Sequence, residues 1–325
     1  MIITRTPLRI SLVGGGSDMA SFYHQSFGAV VSLAINKFIY VSLNEKFDGK
    51  TKAAYSEMEI VEDPIYIRHD LIRGALSYFQ ARGIESVSVS DIPGEGSGLG
   101  SSSAFMVGLT LGLLKYTNRP TNTHPAYFAE LAYQLEKERC HHMVGKQDHY
   151  AAAHGGLYYY QFNQDETVIT EPIHIPDDKQ NRLENSLMLF WTGRTREANP
   201  ILTDQAQRLK DDPRIRTAGE KLRDLAVQLR QELMNGNVDC VGAFLNENWH
   251  LKKKLSHGVS DAGIDELYNK ALSAGATGGK LCGAGGGGFL LMAAKREKQV
   301  DVERALGLRR IPWRICPKGS MVVYS

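Results

Sequence analysis

A glycine- and serine-rich segment, Pro93 to Phe105, constrains the fold of this chain more than any other part of its sequence. Its glycines recur at every second position from 94 to 100, so the backbone can adopt positive φ angles and direct consecutive N–H groups toward an anion. An apolar run from Ala104 to Leu114 follows and predicts a helix whose N-terminus adds a partial positive charge. The segment therefore predicts a phosphate-binding loop, and the alternative is an ordinary turn with a serine helix cap.

Two common nucleotide-binding patterns are not expected here. No Gly-Lys-Ser/Thr follows the glycines, as a P-loop requires. Gly283, Gly285 and Gly288 fit Gly-x-Gly-x-x-Gly, but they precede a short apolar run that ends near Ala294 rather than a helix. A dinucleotide site also needs an acidic residue about twenty positions further on, and none is suitably placed.

A second glycine-rich stretch, Arg5 to Asp18, lies near the N-terminus. Its apolar residues suit a strand, three consecutive glycines free the backbone, and Ser17 with Asp18 offers acceptors for the hydroxyl groups of a polyol. Arg9 and Asp18 could equally form a solvated charge pair at the end of a strand.

Candidate acidic residues lie between these glycine-rich segments and the C-terminal half. Apolar residues at 128, 131, 132 and 135 predict a helix, and Glu136 lies at the edge of its apolar stripe. A carboxylate there is costly unless a cation or hydrogen bonds compensate. The alternative is an exposed glutamate paired with Lys137 or Arg139. Gly145 interrupts the pattern, and Asp148 follows at the start of another predicted short helix.

Together these segments resemble the three motifs of the GHMP kinases, the family of galactokinase, homoserine kinase, mevalonate kinase and phosphomevalonate kinase. Arg5 to Asp18 resembles the first motif in its sugar-kinase form, Pro93 to Phe105 the second, and Gly278 to Met292 the third. The resemblance covers nearly the whole chain. It implies a kinase that binds ATP and its acceptor between two domains.

The same resemblance implies a role for individual residues. Asp148 is expected to be the catalytic aspartate with the cation of Arg9 beside it, and Ser102 with Glu136 is expected to bind Mg²⁺. A neighbouring cation lowers the pKa of a carboxyl group, which favours a role for Asp148 in orienting the acceptor over proton abstraction, without deciding between them. ATP is expected to contact Pro93, Gly94, Gly96, Ser97, Gly98, Leu99, Gly100, Ser101, Ser102 and Ser103. The acceptor is expected to contact Gly15, Gly16, Ser17, Asp18, Lys146, Gln147, Arg194, Lys254, Gly285, Gly286 and Gly287, although Lys146 and Gln147 could equally be solvated.

The chain also resembles, more finely, the D-glycero-D-manno-heptose 7-phosphate kinases, in residues 5–11, 14–18, 145–148 and 249–256. This resemblance implies transfer of the γ-phosphate to the anomeric hydroxyl of the heptose 7-phosphate, giving the 1,7-bisphosphate. A basic pocket should then bind the phosphate already present, with Arg194, Arg196, Lys253 and Lys254 as candidates or as solvated surface residues. A fucose-type sugar 1-kinase remains an alternative. So does a non-catalytic sugar- and ATP-binding regulator of the same fold, although Ser102, Glu136 and Asp148 are all present.

The order of predicted elements indicates an α+β fold with two domains. The polar connection from Pro172 to Arg182 divides the chain into residues 1–182 and 183–325. The resemblance to the GHMP kinases implies a ribosomal-S5-like nucleotide-binding domain for the first part and a ferredoxin-like domain for the second. The second half should contain a strand at 186–191, helices near 214–235 and 238–255, and strands near 287–294 and 320–324.

Composition agrees with this organisation. The 325 residues are 42% hydrophobic, enough for two packed cores. With 38 basic and 36 acidic residues, the net charge of +2 gives no field for nucleic acid or an anionic membrane. The 4 cysteines show no C-x-x-C pair, which suits a reducing cytoplasm, and no signal peptide or long apolar segment is evident. We expect a cytoplasmic enzyme whose partners are ATP and a small sugar phosphate, and the sequence leaves a homodimer open.

Overall fold

The computed structural model describes residues 1–94, 96–121 and 124–325. Glu95, inside the predicted phosphate-binding segment, lies outside the described residues. The described residues form twelve strands and eleven α-helices arranged around two sheets, which confirms the predicted α+β fold.

The strands alternate with helices in short groups along the chain. The strands are β1 (Ile2–Val13), β2 (Gly28–Glu45), β3 (Thr51–Ala54), β4 (Met58–Val61), β5 (Ile84–Ser90), β6 (Leu157–Phe162), β7 (Val168–Pro172), β8 (Leu187–Trp191), β9 (Ala276–Leu281), β10 (Phe289–Ala294), β11 (Arg309–Ile311) and β12 (Met321–Tyr324). The helices are α1 (Ala20–Tyr23), α2 (Asp70–Phe79), α3 (Ser101–Tyr116), α4 (Pro125–Gln134), α5 (Gln147–His154), α6 (Asp177–Ser186), α7 (Ala198–Asp211), α8 (Pro213–Met234), α9 (Val241–Leu255), α10 (Ala262–Ser273) and α11 (Gln299–Leu306).

The first sheet has eight strands in the order β12-β1-β2-β5-β3-β4, with β6 paired to β2 and β7 paired to β6. The long strand β2 makes this branching possible, because residues 28–33 pair with β6 and residues 39–45 pair with β5. The pair β3–β5 is parallel and the other strand pairs are antiparallel.

Helix α3 lies at the centre of the first domain, with most of its side chains buried, and it packs against β1 and β2. Gly108 allows α3 to lie close to β1, since a Cβ at this position would lie 2.7 Å from the hydroxyl oxygen of Thr6. The packing of α3 against the sheet thus fixes the position of its N-terminus, which directly follows the glycine-rich segment.

The second sheet is antiparallel in the order β11-β8-β10-β9, and α9 and α10 pack on β9. Its core is built around the fully buried Trp249 with apolar residues of β8 and β10. The helices and strands predicted in this half are present within a few residues of their expected positions.

Two features differ from the predicted division of the chain. The connection from Pro172 to Arg182 is partly helical, because α6 begins at Asp177 and leads directly into β8. The C-terminal strand β12 returns to pair with β1, so residues 321–324 complete the first sheet although they were expected in the second domain.

Candidate active site

A cavity of about 1170 Å³ lies between the two domains. The first domain lines it with Arg9, Gly15, Gly16 and Asp18 of the first motif, with residues 96–103 of the second motif except Leu99, and with Glu136, Gln147 and Asp148. The second domain contributes Arg196, Asn199, Lys252, Lys280 and Gly283. All three glycine-rich motifs thus meet at one site.

Asp148 and Arg9 form an ion pair at the floor of this cavity. Arg9 Nε donates to Oδ1 of Asp148 at 2.7 Å and Nη2 donates to Oδ2 at 2.5 Å, a two-pronged contact that fixes the carboxylate plane. The Arg9 side chain is 4% exposed and that of Asp148 is 23% exposed. Burial alone would lower the pKa of Arg9, but the Asp148 carboxylate raises it above its ordinary value. The structure therefore brings together the two residues predicted to be catalytic.

The same arginine also reaches the phosphate loop, residues 96–103. Its Nη1 donates to the carbonyl oxygen of Gly98 at 2.7 Å, and its backbone N–H donates to the carbonyl of Leu99 at 3.0 Å. One guanidinium group therefore holds the loop and the Asp148 carboxylate in a fixed relation.

Backbone conformation and close packing explain why glycine is required at several positions of this loop. Gly98 has a φ of 77°, and a Cβ there would lie 2.4 Å from the carbonyl oxygen of Cys282. Gly283 has a φ of 72°, and its Cβ would lie 2.6 Å from the Cα of Gly98. The second and third motifs consequently pack backbone against backbone across the two domains, which side chains would prevent.

Most residues predicted to contact ATP line the cavity. They are Gly94, Gly96, Ser97, Gly98, Gly100, Ser101, Ser102 and Ser103. Pro93 and Leu99 do not line it, and Leu99 is fully buried in the hydrophobic core.

Glu136 lies in a single π-helical turn, Leu135–Arg139, that continues α4. Its side chain is 1% exposed, which excludes the exposed glutamate considered above. Ser102 and Ser103 donate to its two oxygens at 3.0 and 3.2 Å, and His149 Nε2 lies 2.7 Å from Oε2. Burial alone would raise the pKa of Glu136, but hydrogen bonds with His142 and His149 lower it to about 2. A charged carboxylate therefore lies beside the hydroxyl of Ser102 at the start of α3.

Asp18 lies on the turn that ends the first motif and also lines the cavity. Its Oδ1 accepts a hydrogen bond from Gly16 N at 2.8 Å, and it is 3% exposed. Burial raises the pKa of Asp18 above its ordinary value. Gly145 packs directly on this carboxylate, since a Cβ there would lie 1.9 Å from Oδ2. Gln147 also lines the cavity beside Gly15, as predicted for the acceptor.

Several residues predicted to contact the acceptor lie elsewhere. Lys146 is fully buried outside the cavity, with its ammonium 3.1 Å from Glu130 and 2.8 Å from Glu166. Ser17 is buried, and its hydroxyl donates to the carbonyl oxygens of Gly14 and Ala29. Both residues stabilise the backbone around the site rather than line it.

The basic residues predicted in the second domain are also displaced from the cavity. Arg194 is about half exposed and paired with Asp261 at 3.2 Å, while Lys254 is exposed on α9. Gly285 packs against Val259 and Gly286 against Arg196, so within 285–287 the glycines shape the third motif without lining the cavity.

Two buried lysines also line the cavity, and the sequence analysis predicted neither of them as a site residue. Lys252 is 5% exposed and Lys280 is 3% exposed. Burial lowers the pKa of Lys252 to about 8 and that of Lys280 to about 7. A signal for Lys252 was present, because Asn248 and Lys252 are four residues apart on the apolar face of α9.

Comparison with known proteins agrees with the geometry. Residues 70–156 match the N-terminal domain of the GHMP kinases, and residues 229–309 match their C-terminal domain. The chain belongs to the GHMP kinase family. It is an ATP-dependent phosphotransferase of that family, a sugar kinase, and the arrangement of Asp148 beside the phosphate loop is consistent with that activity.

Individual relatives of this GHMP kinase extend over nearly its whole length. D-glycero-alpha-D-manno-heptose 7-phosphate kinase of Campylobacter jejuni is 30% identical over 94% of this chain and 93% of its own. The structure of a D-glycero-D-manno-heptose 1-phosphate kinase from Bacteroides thetaiotaomicron has a TM-score of 0.81 at 25% identity and covers 100% of both chains. The bifunctional fucokinase/GDP-fucose pyrophosphorylase of Arabidopsis thaliana is 29% identical over 94% of this chain, which spans 30% of that protein.

Within the described residues, no helix is both long and apolar enough to span a membrane.

Proposed function

We propose that this kinase transfers the γ-phosphate of magnesium-bound ATP to the anomeric hydroxyl of D-glycero-D-manno-heptose 7-phosphate, giving the 1,7-bisphosphate and ADP. The observation that best supports a phosphoryl transfer is the Arg9–Asp148 pair. It lies between the phosphate loop and the turn of residues 14–18, which we call the acceptor turn. Similarity to the Campylobacter jejuni enzyme over nearly the full length of both chains supports this acceptor.

Asp148 acts on the attacking hydroxyl. Its carboxylate accepts the hydrogen bond of that hydroxyl and aims the oxygen at the γ-phosphorus. The new oxygen–phosphorus bond forms as the bond to the β-phosphate oxygen breaks. Asp148, paired with Arg9, mainly orients the hydroxyl and takes its proton only as the new bond forms. Because this transfer needs little covalent help from the protein, positioning and charge contribute most.

The phosphate loop binds the chain of phosphates. Residues of the loop and of the first turn of α3 line the cavity, and a glycine-rich loop at a helix N-terminus favours anions. The cavity walls also include Ile39, Tyr55, Leu71, Val89 and Phe105, and this partly apolar lining suits a nucleotide base.

Ser102 and Glu136 fit a magnesium ion. Their oxygens lie 3.0 Å apart, and a hydroxyl beside a carboxylate of low pKa supplies hard oxygen ligands. Within the described ranges, no three His, Cys, Asp or Glu side chains are grouped to hold a metal ion by themselves. Mg²⁺ commonly takes one carboxylate and completes its shell with phosphate oxygens and water. When bound, the ion neutralises charge on the transferring phosphate.

Arg196 is the exposed cation best placed for a phosphate of either substrate. It lines the cavity beside Gly96 and Gly286, and it has no carboxylate partner among the residues the structure describes. Arg194 and Lys254 lie outside the cavity and lose support as ligands of the heptose phosphate.

The test is ADP release with ATP and Mg²⁺ over a panel of D-glycero-D-manno-heptose 7-phosphate, mannose 6-phosphate, fucose, galactose and mannose, with phosphorus NMR of the product. A preference for the heptose phosphate and a new anomeric phosphate signal support the proposal. Turnover of free fucose alone would favour the fucose-type kinase, to which the similarity with the Arabidopsis protein also points. Binding without turnover of any sugar would favour a regulator.

A further inference from the structure

The acceptor turn of the first domain, residues 14–18, is held by a helix of the second domain. Asn248 Oδ1, on α9, accepts a hydrogen bond from Gly14 N at 3.0 Å. One turn further along, Lys252 Nζ donates to the carbonyl oxygen of Gly15 at 3.2 Å and to Gln205 Oε1 at 3.2 Å. The ammonium group of Lys252 is thus fixed at the turn that ends in Asp18.

Lys252 and Asp18 converge on Gly16. The N–H of Gly16 donates to Asp18, and a Cβ on Gly16 would lie 3.5 Å from Lys252 Nζ. Both side chains line the cavity. An ammonium group has three donors, and two of those on Lys252 are directed to protein oxygens, which leaves one for a ligand. A carboxylate acceptor beside an ammonium donor matches two adjacent hydroxyl groups, one of which donates while the other accepts.

Two further polar groups beside this turn point to a ligand rich in hydroxyls. Ser11 Oγ and Gln147 Oε1 are buried without a hydrogen-bond partner in the described part of the chain. A Cβ added to Gly15 would lie 3.4 Å from Ser11 Oγ and 3.9 Å from Gln147 Oε1, and both side chains line the cavity. Buried polar groups are normally hydrogen-bonded, so such atoms indicate where an acceptor sugar binds.

We propose that Lys252 is a specificity-determining residue of the acceptor site and donates to a sugar hydroxyl adjacent to the one that Asp18 accepts. The inference rests on the proposed function in requiring a polyol acceptor, but it does not depend on which sugar that is. Two donors of Lys252 are directed to neutral protein oxygens, and Asp18 and Asp148 offset its charge, so we assign a hydroxyl group to its remaining donor and place the phosphate of the substrate elsewhere.

The test compares Lys252→Met with Lys254→Met, a change of the same type on the same helix at an exposed lysine. Steady-state kinetics are measured on the sugar that the wild-type enzyme phosphorylates. A hydrogen bond to a charged group contributes about 10- to 100-fold in affinity, so Lys252→Met should raise the acceptor KM by that factor and leave the ATP KM near its wild-type value. Lys254→Met should change neither. Equal acceptor KM values in the two variants would overturn the proposal.

A second arm separates recognition from support of the turn. Acceptors that each lack one hydroxyl are assayed with both enzymes. Removing the hydroxyl that Lys252 binds should weaken acceptor binding by wild type but should hardly weaken binding by Lys252→Met, which has already lost that contact. Removing any other hydroxyl should weaken binding by wild type and by Lys252→Met to the same extent. Uniform losses at every position would assign Lys252 a purely structural role. Lys252→Gln, which keeps a donor, serves in the same comparison if the methionine variant unfolds.

A wrong heptose assignment can be distinguished from a wrong role for Lys252. The ADP-release assay of the wild-type enzyme over the sugar panel tests the heptose assignment before any variant is made. If no sugar is turned over, saturation-transfer NMR of the panel sugars with wild type and Lys252→Met replaces the kinetics. Loss of sugar binding in the variant then supports Lys252 as the contact, and equal binding refutes it.

Discussion

Replacement of Asp148 by asparagine tests the central ion pair of the site. The new side chain keeps the size of the old one and can still accept the hydrogen bond from Arg9 Nε, now at 2.7 Å. At the second oxygen, an amide NH₂ would face Arg9 Nη2, where the carboxylate now accepts at 2.5 Å. Two donors then oppose each other beside a guanidinium group that is only 4% exposed.

The expected magnitudes follow from burial and from the loss of the carboxylate. Removing one partner of a buried pair costs about 3–5 kcal/mol, and partial exposure of Asp148 reduces this to roughly 2–3 kcal/mol. Turnover should fall by about 10²–10⁴-fold, the usual contribution of a positioned acid or base. The ATP KM should stay near the wild-type value, because the phosphate loop keeps its own contacts.

The measurements are urea unfolding and steady-state ADP release, with Asp261→Asn as the matched control. Asp261 pairs with Arg194 at the surface and accepts from Ile264 N at the start of α10, a capping role that asparagine fills equally well. The control should lose about 1 kcal/mol or less and keep full turnover. If Asp148→Asn retained turnover within a factor of about ten, the catalytic role would be rejected. If it were as stable as the control, the buried ion pair would not stabilise the fold.

Three further predictions concern the loops around the cavity. Ser102→Ala should raise the Mg²⁺ concentration needed for half-maximal activity, and a metal titration equal to that of wild type would remove Ser102 from the metal site. Gly145→Ala should raise the acceptor KM more than the ATP KM, because the added Cβ would lie 1.9 Å from Asp18 Oδ2 and displace that carboxylate. Glu59 accepts hydrogen bonds from the tyrosine hydroxyl and the two backbone N–H groups that fold the segment before α2, so Glu59→Gln should destabilise the protein by about 1–3 kcal/mol at neutral pH. Although burial alone would raise the pKa of Glu59, these hydrogen bonds lower it from 4.5 to about 2, so its stabilising effect is complete above the higher value and is lost as pH falls toward the lower one. Unfolding measured against pH should therefore show wild type and variant converging over that interval, and a constant difference would contradict the assignment.

Local chemistry allowed the sequence to predict much of the site. A glycine that needs a positive φ and a serine at a helix start can be recognised without knowledge of distant contacts, as Gly98 and Ser102 illustrate. Asp148 and Glu136 were singled out by their resemblance to the GHMP kinase motifs, and the helical pattern only placed each of them on or beside a helix. The α+β class followed from the order of strands and helices.

The basic residues show where such reasoning ends. Lys146 is two residues from Asp148, yet its ammonium is neutralised by two glutamates that are distant in sequence. Lys252 and Lys254 are also two residues apart on one helix, and one is buried in the cavity while the other faces solvent. A long flexible cation is suited to either environment, so its identity alone does not indicate which it occupies.

The sequence by itself determined the backbone-encoded parts of this kinase, which are the glycine-rich loop and the starts of α3 and α5, because these depend on neighbours a few residues away. Only the tertiary structure decided which charges meet. The return of β12 to β1, the contact of Gly98 with Gly283 and the placement of Lys252 against the acceptor turn all join segments more than 180 residues apart. Such contacts arise from the packing of whole sheets and helices, and no local pattern specifies them.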